Sequence, residues 1–214
     1  MCNIIYPVTI LILFPIIALS QPDWKMAKNK NGIFVYTKDV GNKGFKQLKS
    51  VSTFSGVTLS QCFAVFKDLE NCNKWTMNLR YAKNIVEFSV KEYINYFLMG
   101  VPWPFKDREA YFRVHVYQDP TDHSLNVESN IIPEYAPRND STVRIVDARG
   151  KWKFTPIGNG NIRVENELFA DPVGFPAWLV NFFAIEGPIN TVTKLRKHME
   201  NDVYKSKKYE FIRE

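Results

Sequence analysis

The chain has 214 residues, 45% hydrophobic, 14% aromatic and 23% charged, with a net charge of +6. These fractions belong to a globular protein and exclude collagen-like, low-complexity and disordered chains; the basic excess suits membrane or nucleic acid without choosing between them. The unusual feature is aromatic: 16 Phe, 10 Tyr and 5 Trp either fill a core densely or line something hollow.

Residues 1–20 contain no Asp, Glu, Lys or Arg, and residues 4–19 are almost wholly apolar. Ala18, Leu19 and Ser20 then place small residues ahead of Gln21. The segment reads as a secretory signal peptide, so export to the periplasm or the extracellular space is expected. It departs from the usual leader in having no Lys or Arg ahead of the apolar run. The alternative is an uncleaved anchor, but about 24 Å of helix falls short of a ~30 Å hydrocarbon core. Pro7 and Pro15 interrupt it further. Cleavage would leave Cys62 and Cys72, about 15 Å apart if both lie on or just after one helix. A disulfide needs Cα atoms within ~7 Å, so this pair is expected to stay open.

No Pro/Gly/Ser-rich linker, charge block or repeat divides residues 21–214, which read as one domain with a core over about 24–199. The pattern is a short helix, several strands with one helical interruption, then a long helical end. Residues 33–40 are β-rich, and Gly41-Asn42-Lys43-Gly44 turns the chain into a strand over 46–55. Thr58 and Gln61 read as a capping box, followed by Leu59, Cys62, Phe63, Phe66 and Leu69 on one apolar helical face.

Strand alternation takes over after Tyr81. Val86, Phe88 and Val90 share a face, and residues 93–99 are apolar on both sides. Phe112, Val114 and Val116 point inward while Arg113 and His115 point out. After a turn at 119–122, Leu125, Val127, Ser129 and Ile131 continue the inner face. Residues 133–140 read as a loop, 142–155 as one long strand, and Gly158-Asn159-Gly160 as a hairpin into a strand over 161–171. From Pro176 the chain is helical, interrupted at Gly187-Pro188, with Ile189, Val192, Leu195 and Met199 on the resumed face. The sum is α+β: a curved, mostly antiparallel sheet with one long helix packed on it last.

The segment Val101-Pro102-Trp103-Pro104-Phe105-Lys106-Asp107-Arg108-Glu109 resembles the PWP…RD segment of START domains, the lipid-transfer relatives of the steroidogenic acute regulatory protein. Residues 31–37 are similar to that family's opening strand. Val143-Arg144 with Gly150-Lys151-Trp152 resembles its R…G-W strand, and residues 171–181 resemble the DPGG-xP-xWLVN entrance to its last helix. The resemblance implies a helix-grip fold, in which a curved antiparallel sheet wraps the C-terminal helix and encloses a hydrophobic tunnel for one lipid or sterol-like ligand. Departures exist: Glu109 stands for Asp and Val173 for Gly. Val114 and Asn95 stand where sterol-binding members carry a cavity Arg and its acidic partner.

Alternation offers a lining of Val86, Phe88, Phe112, Val114, Val116, Leu125, Val127, Val146, Trp152 and Phe154, with Asn95, Ser129, Arg144 and Asn166 as polar exceptions. A charge on an inward face demands a partner. Arg144 therefore either binds an anionic or carbonyl head group or pairs structurally with Asp107, Glu109 or Asp147, the second reading being favoured. Trp103, Trp152 and Tyr135 either cage a cationic head group or fill the core. Trp178, Leu179, Phe182 and Phe183 are expected to cover the tunnel, with Ala177, Val180, Ala184 and Ile185 apolar on the other side. A helix apolar all round is buried or touches membrane, and the resemblance implies a lid that opens at a bilayer. The basic tail, from Lys194 to Arg213, either contacts anionic lipid or is solvated.

The expected ligand-binding set is Asn95, Phe112, Val114, Ser129, Arg144, Trp152, Asn166, Trp178 and Phe182. His115, His123 and His198 are scattered without metal-ligand spacing, and no phosphate loop or nucleic-acid motif is present, so no cofactor, metal or catalytic residue is assigned. Three functions follow: a monomeric carrier of one hydrophobic ligand, a helix-grip enzyme of the polyketide cyclase or aromatase type, and a membrane-surface adaptor.

Overall fold

Among the described residues ten strands form a single sheet, with period-two burial clearest over residues 33–39 and 46–55. The computed structural model describes residues 24–40 and 44–214, without the side chains of Phe182 and Phe183. The leader over residues 1–20 and most of the turn at 41–44 lie outside the described residues. The strands are β1 (Lys25–Lys30), β2 (Ile33–Asp39), β3 (Lys46–Ser55), β4 (Leu79–Ser89), β5 (Glu92–Met99), β6 (Arg108–Gln118), β7 (Leu125–Ile131), β8 (Val143–Arg144), β9 (Asp147–Pro156) and β10 (Asn161–Asp171). The helices are α1 (Leu59–Lys67), α2 (Ala177–Ala184), α3 (Glu186–His198) and α4 (Asp202–Lys205). The sheet runs β1-β2-β3-β10-β9-β7-β6-β5-β4, all antiparallel, and β8 pairs with β6 in parallel. Helix α3 lies against β2 and β3, and α1 against β9.

Three expectations change. The short opening helix is instead the edge strand β1, paired with β2. The long strand expected over 142–155 breaks into β8 and β9, which leaves Val146 41% exposed at the break rather than inward. On β4, register shifts between Asn84 and Val86 and between Glu87 and Ser89 reset the alternation. Val86 then pairs with Ile94, out of phase with inward Asn95, and Phe88 is 57% exposed above the Arg113 guanidinium. Bulges of this kind are usual on an edge strand, where they blunt pairing with other chains.

Helix α1 starts where the capping pattern puts it. Thr58 accepts a hydrogen bond from the Gln61 backbone N–H at 3.1 Å. The other half of the box is not made: the Gln61 side chain donates instead to the Met199 carbonyl at the end of α3. A second cap comes from the far end of the chain. The Glu214 carboxylate accepts from the Leu59 and Ser60 backbone N–H groups at 2.7 and 3.0 Å, placing negative charge on otherwise unpaired donors. Tyr209 and Phe211 stand edge-on to Phe63 at 4.6 and 5.3 Å, so the last residues form a strap across α1.

The C-terminal helix is in two pieces. The break falls at Ile185, slightly earlier than expected, and Gly187 and Pro188 sit in the first turn of α3, where a missing N–H costs nothing. Glu186 in that turn pairs with Lys28 of β1. Ile189, Val192, Leu195 and Met199 are buried against Ile33, Val35, Phe54, Phe63 and Phe154. Cys62 and Cys72 are both free and buried; burial pushes both thiols up, Cys72 to about 12.

The strap makes a direct prediction. Glu214→Ala should lower stability by about 1 kcal/mol, the worth of a charged cap, read as a lower urea midpoint. An unchanged midpoint would show that the strap does not hold α1.

Candidate functional site

Cross-strand register defines the inward surface row by row. Trp152 lies between Asn166 and Val127, with Ser50 beyond Asn166 and Val116 beyond Val127. The next row runs Leu48, Leu168, Gly150, Ser129, Val114 and Tyr93. Beyond it lie Ile131, Phe112, Asn95 and Asn84.

Burial along this face is graded. Phe154, Leu125, Val116 and Val164 are at most 1% exposed. Phe112, Ser129, Trp152 and Asn166 are only half-buried, and Leu168 is 40% exposed although it points inward. Gly150, between Ser129 and Leu168, adds no side chain at all. The half-covered positions form an apolar trough with a few neutral polar groups, the composition expected of a small-molecule site.

Six of the nine expected residues fall on this face: Asn95, Phe112, Val114, Ser129, Trp152 and Asn166. Asn95 is 3% exposed, and its Oδ1 accepts from Asn84 Nδ2 at 3.1 Å. Val114 is buried between Tyr93 and Ser129. Phe112 meets Phe97 edge-on at 5.9 Å, and Trp152 meets Phe66 at 5.1 Å and stacks parallel on Phe154 at 6.1 Å. Asn166 Nδ2 reaches the Lys151 carbonyl at 3.4 Å.

Trp178 is a correction. It is 71% exposed rather than buried over the lining. On α2, Asn181 donates to the Gly44 carbonyl at 2.8 Å and accepts from the Lys46 N–H at 3.2 Å, fixing the side that faces the β2–β3 turn. Ala177, one turn earlier, sits over Gly44 on that same side. Trp178 lies about 100° further round the helix. The Phe182 side chain lies outside the described residues. Among the described side chains of α2, none is fully buried, although nearly all are apolar.

Arg144 resolves to the structural reading. Its side chain and that of Glu109 are 2% and 4% exposed, and they pair at 2.7 and 2.8 Å. The remaining N–H groups donate to the carbonyls of Pro133, Ala136 and Pro137 at 2.7, 3.1 and 3.1 Å, and the guanidinium lies 4.8 Å from the Tyr111 ring centroid. All five donors are used, so the charge expected to read a ligand instead pins the 133–137 loop to β6. Glu109 also accepts from the Tyr96 hydroxyl at 3.2 Å; burial and the nearby carboxylate push that phenol up to about 12.

The neighbouring motif residues hold the trough's open end. Asp107 accepts from the Val101 N–H at 3.0 Å and pairs with Arg80 at 3.1 Å, closing the loop between β5 and β6. Arg108 is 5% exposed; it donates to the carbonyls of Pro172 and Val173 at 3.0 and 2.8 Å and lies 4.2 Å from the Phe175 ring. Arg108 thereby anchors the segment that leads into α2. Val173 in that segment has φ +52, a left-handed conformation that a β-branched residue adopts only under strain.

Residues not singled out from the sequence also line this face. Thr37, Ser50 and Ser52 are buried polar groups on β2 and β3, and Trp75 packs between Phe66 and Trp152. The alternation Leu48, Ser50, Ser52, Phe54 carried a signal for the serines. Trp75 lies in a turn without periodicity and had none. Of the histidines, His115 is exposed beside Tyr117, His123 lies in the β6–β7 turn, and His198 contacts the Tyr204 hydroxyl at 2.9 Å. Among the described residues no group of three His, Cys, Asp or Glu side chains could hold a metal ion.

Two substitutions test this arrangement. Arg144→Ala leaves Glu109 buried without a partner and should cost about 3–5 kcal/mol, while replacing both residues with apolar ones should cost much less. Equal, small losses for both variants would contradict the structural role. Val173→Gly relieves about 1–2 kcal/mol of strain but adds chain entropy to the unfolded state, for a net gain of about 0.5–1 kcal/mol. A lower melting midpoint for Val173→Gly would contradict the strain.

Comparison with known proteins bears on this geometry. No family profile matches the chain. It is similar to an uncharacterized Pseudomonas aeruginosa protein, 27% identical over 180 residues that cover 83% of this chain and 87% of the relative. It is 24% identical to mouse START domain-containing protein 10 over 164 residues, 76% of this chain and 56% of that protein, so it spans little more than half the relative's length. The STAR-related lipid transfer protein fragment from Xanthomonas axonopodis superposes with a TM-score of 0.76 at 24% identity, covering 83% of this chain and 99% of that one. Human STARD10 superposes with a TM-score of 0.74 at 19% identity, covering 86% and 76%. Strand order and these likenesses agree: the chain has the helix-grip fold of these START-type lipid-transfer structures.

Proposed function

We propose that this protein carries one hydrophobic ligand between its sheet and α2 and exchanges it at membranes. The observation that carries the reading is the burial gradient: inward-facing Phe112, Trp152 and Leu168 remain partly uncovered, and the described apolar side chains of α2 are not buried either. Two incompletely covered apolar surfaces in one domain suit a guest that covers both. Covering ~400 Å² of ligand at ~25 cal/mol/Å² is worth ~10 kcal/mol before entropic costs, enough to draw a lipid from a bilayer. Support also comes from the similar proteins, one of which is titled a STAR-related lipid transfer protein.

Membrane contact has its own support. Trp103 is 92% exposed, Phe105 48% and Trp178 71%. Phe105 touches Phe175 at 4.8 Å, which joins the β5–β6 loop to the entrance of α2. Exposed aromatic side chains at the rim of an apolar trough suit the membrane interface. Binding and release need no catalytic group, which favours a carrier over a cyclase; among the described residues no histidine faces the trough. Residues 1–20 support export, and the carrier is proposed to act as a monomer outside the cytoplasm.

Transfer of a fluorescent sterol or phospholipid between vesicles tests the reading. The wild-type protein should accelerate transfer, and the Trp103→Ala/Trp178→Ala variant should slow it about tenfold while retaining ligand affinity in solution. That factor corresponds to ~1.4 kcal/mol of lost interfacial binding. Equal transfer with and without the protein, for every lipid tried, would sink the carrier reading.

A further inference from the structure

Along β5, β6, β7, β9 and β10 the inward positions carry one charge, Arg108 at the end of β6. It is spent on the main-chain carbonyls of Lys106, Pro172 and Val173. The half-covered part of the lining offers hydroxyls, amides and rings instead. An ionised head group enclosed there would lose its hydration and gain no counter-charge, at a cost of several kcal/mol. An ester, ketone, amide or hydroxyl loses far less and needs only a hydrogen bond in return.

Two buried groups at this face lack a partner among the described residues, the Ser52 hydroxyl and the Trp75 indole N–H, and the second can only donate. Trp75 follows the 3₁₀ turn Cys72–Lys74 and is 6% exposed. Its ring packs 5.2 Å from Phe66 and stands edge-on to Trp152 at 6.3 Å. The Trp75 Nε1 atom is enclosed and has no hydrogen-bond partner among the described residues. An indole N–H can only donate, and leaving it unpaired costs about 1–3 kcal/mol. Trp152, half-buried in the trough, is the neighbour through which Trp75 adjoins the lining.

We propose, resting on the carrier reading, that the enclosed polar end of the ligand is uncharged and presents an oxygen acceptor to Trp75 Nε1 beside Trp152. The ligand class is then a neutral lipid bearing an ester, ketone, amide or hydroxyl, and not a free fatty acid or a lipid whose charged head is enclosed. The competing use of the N–H is a weak contact with the face of a neighbouring ring, which asks nothing of a ligand.

Three sixteen-carbon probes separate these cases in titrations of tryptophan fluorescence: hexadecane, methyl palmitate and, at about pH 8, palmitate. Methyl palmitate should bind the wild-type protein at least about tenfold more tightly than palmitate. It should bind Trp75→Phe about fivefold to tenfold more weakly, the share of one neutral hydrogen bond, while hexadecane binds both proteins equally. Palmitate binding as tightly as its ester overturns the uncharged end, and an unchanged ester affinity in Trp75→Phe overturns the role of Nε1. If that variant fails to fold, indole ¹⁵N spectra of the wild-type protein decide. The Trp75 N–H resonance should move downfield with methyl palmitate and stay still with hexadecane; no movement with the ester overturns the proposal. A wild-type protein that binds none of the probes refutes the carrier reading itself, a result distinct from the others.

Discussion

The trough depends on Arg108. This one side chain, nearly buried at the start of β6, holds the carbonyls of Pro172 and Val173 and lies against the Phe175 ring. It thereby ties the central sheet to the segment that leads into α2. The residues on either side hold the surrounding loops: Asp107 closes the β5–β6 loop, and Glu109 holds Arg144, which fastens the 133–137 loop. Three consecutive charged residues thus hold three loops around one end of the sheet, and none of the three is left to contact a ligand. The anchored segment carries strain at Val173, so the entrance to α2 is secured by strong hydrogen bonds and loosened by an unfavourable backbone at the same point.

The two ends of the inward face then differ for a physical reason. Where α1 and α3 lie on the sheet, large side chains interlock and most apolar groups are buried. Where α2 lies, the helix touches the β2–β3 turn through Asn181 and is otherwise lightly seated. On the proposed carrier reading, the hydrophobic surface left partly covered there is what the ligand buries. The strap formed by Tyr209, Phe211 and Glu214 acts at the opposite, closed end, where it stiffens α1. On that reading, one end of the molecule stays shut and the other admits the ligand.

Most of the fold was legible because strand alternation and turn chemistry are local. Phe112, Val114, Leu125 and Val127 announce their inward side by spacing alone, and Thr58 announces the start of α1. What was not legible depends on pairing or on the main chain. A bulge on β4 turns Val86 and Phe88 outward, and no residue type marks it. The pairing of Arg144 with Glu109 was among the expected alternatives, but its inward placement was misread and its carbonyl partners at 133–137 leave no trace in side-chain identity. Trp178 belongs to a helix apolar on almost every side, so periodicity could not say which side meets the sheet. Trp75 sits in a turn, where no period exists to direct attention to it.

Native mass spectrometry of the purified full chain tests the central claim most directly. The account predicts one lipid-sized adduct per chain, either carried through purification or acquired on incubation with vesicles, and lost together with the trough when Arg108 is replaced. A chain that shows only its own mass before and after exposure to every class of lipid would contradict it.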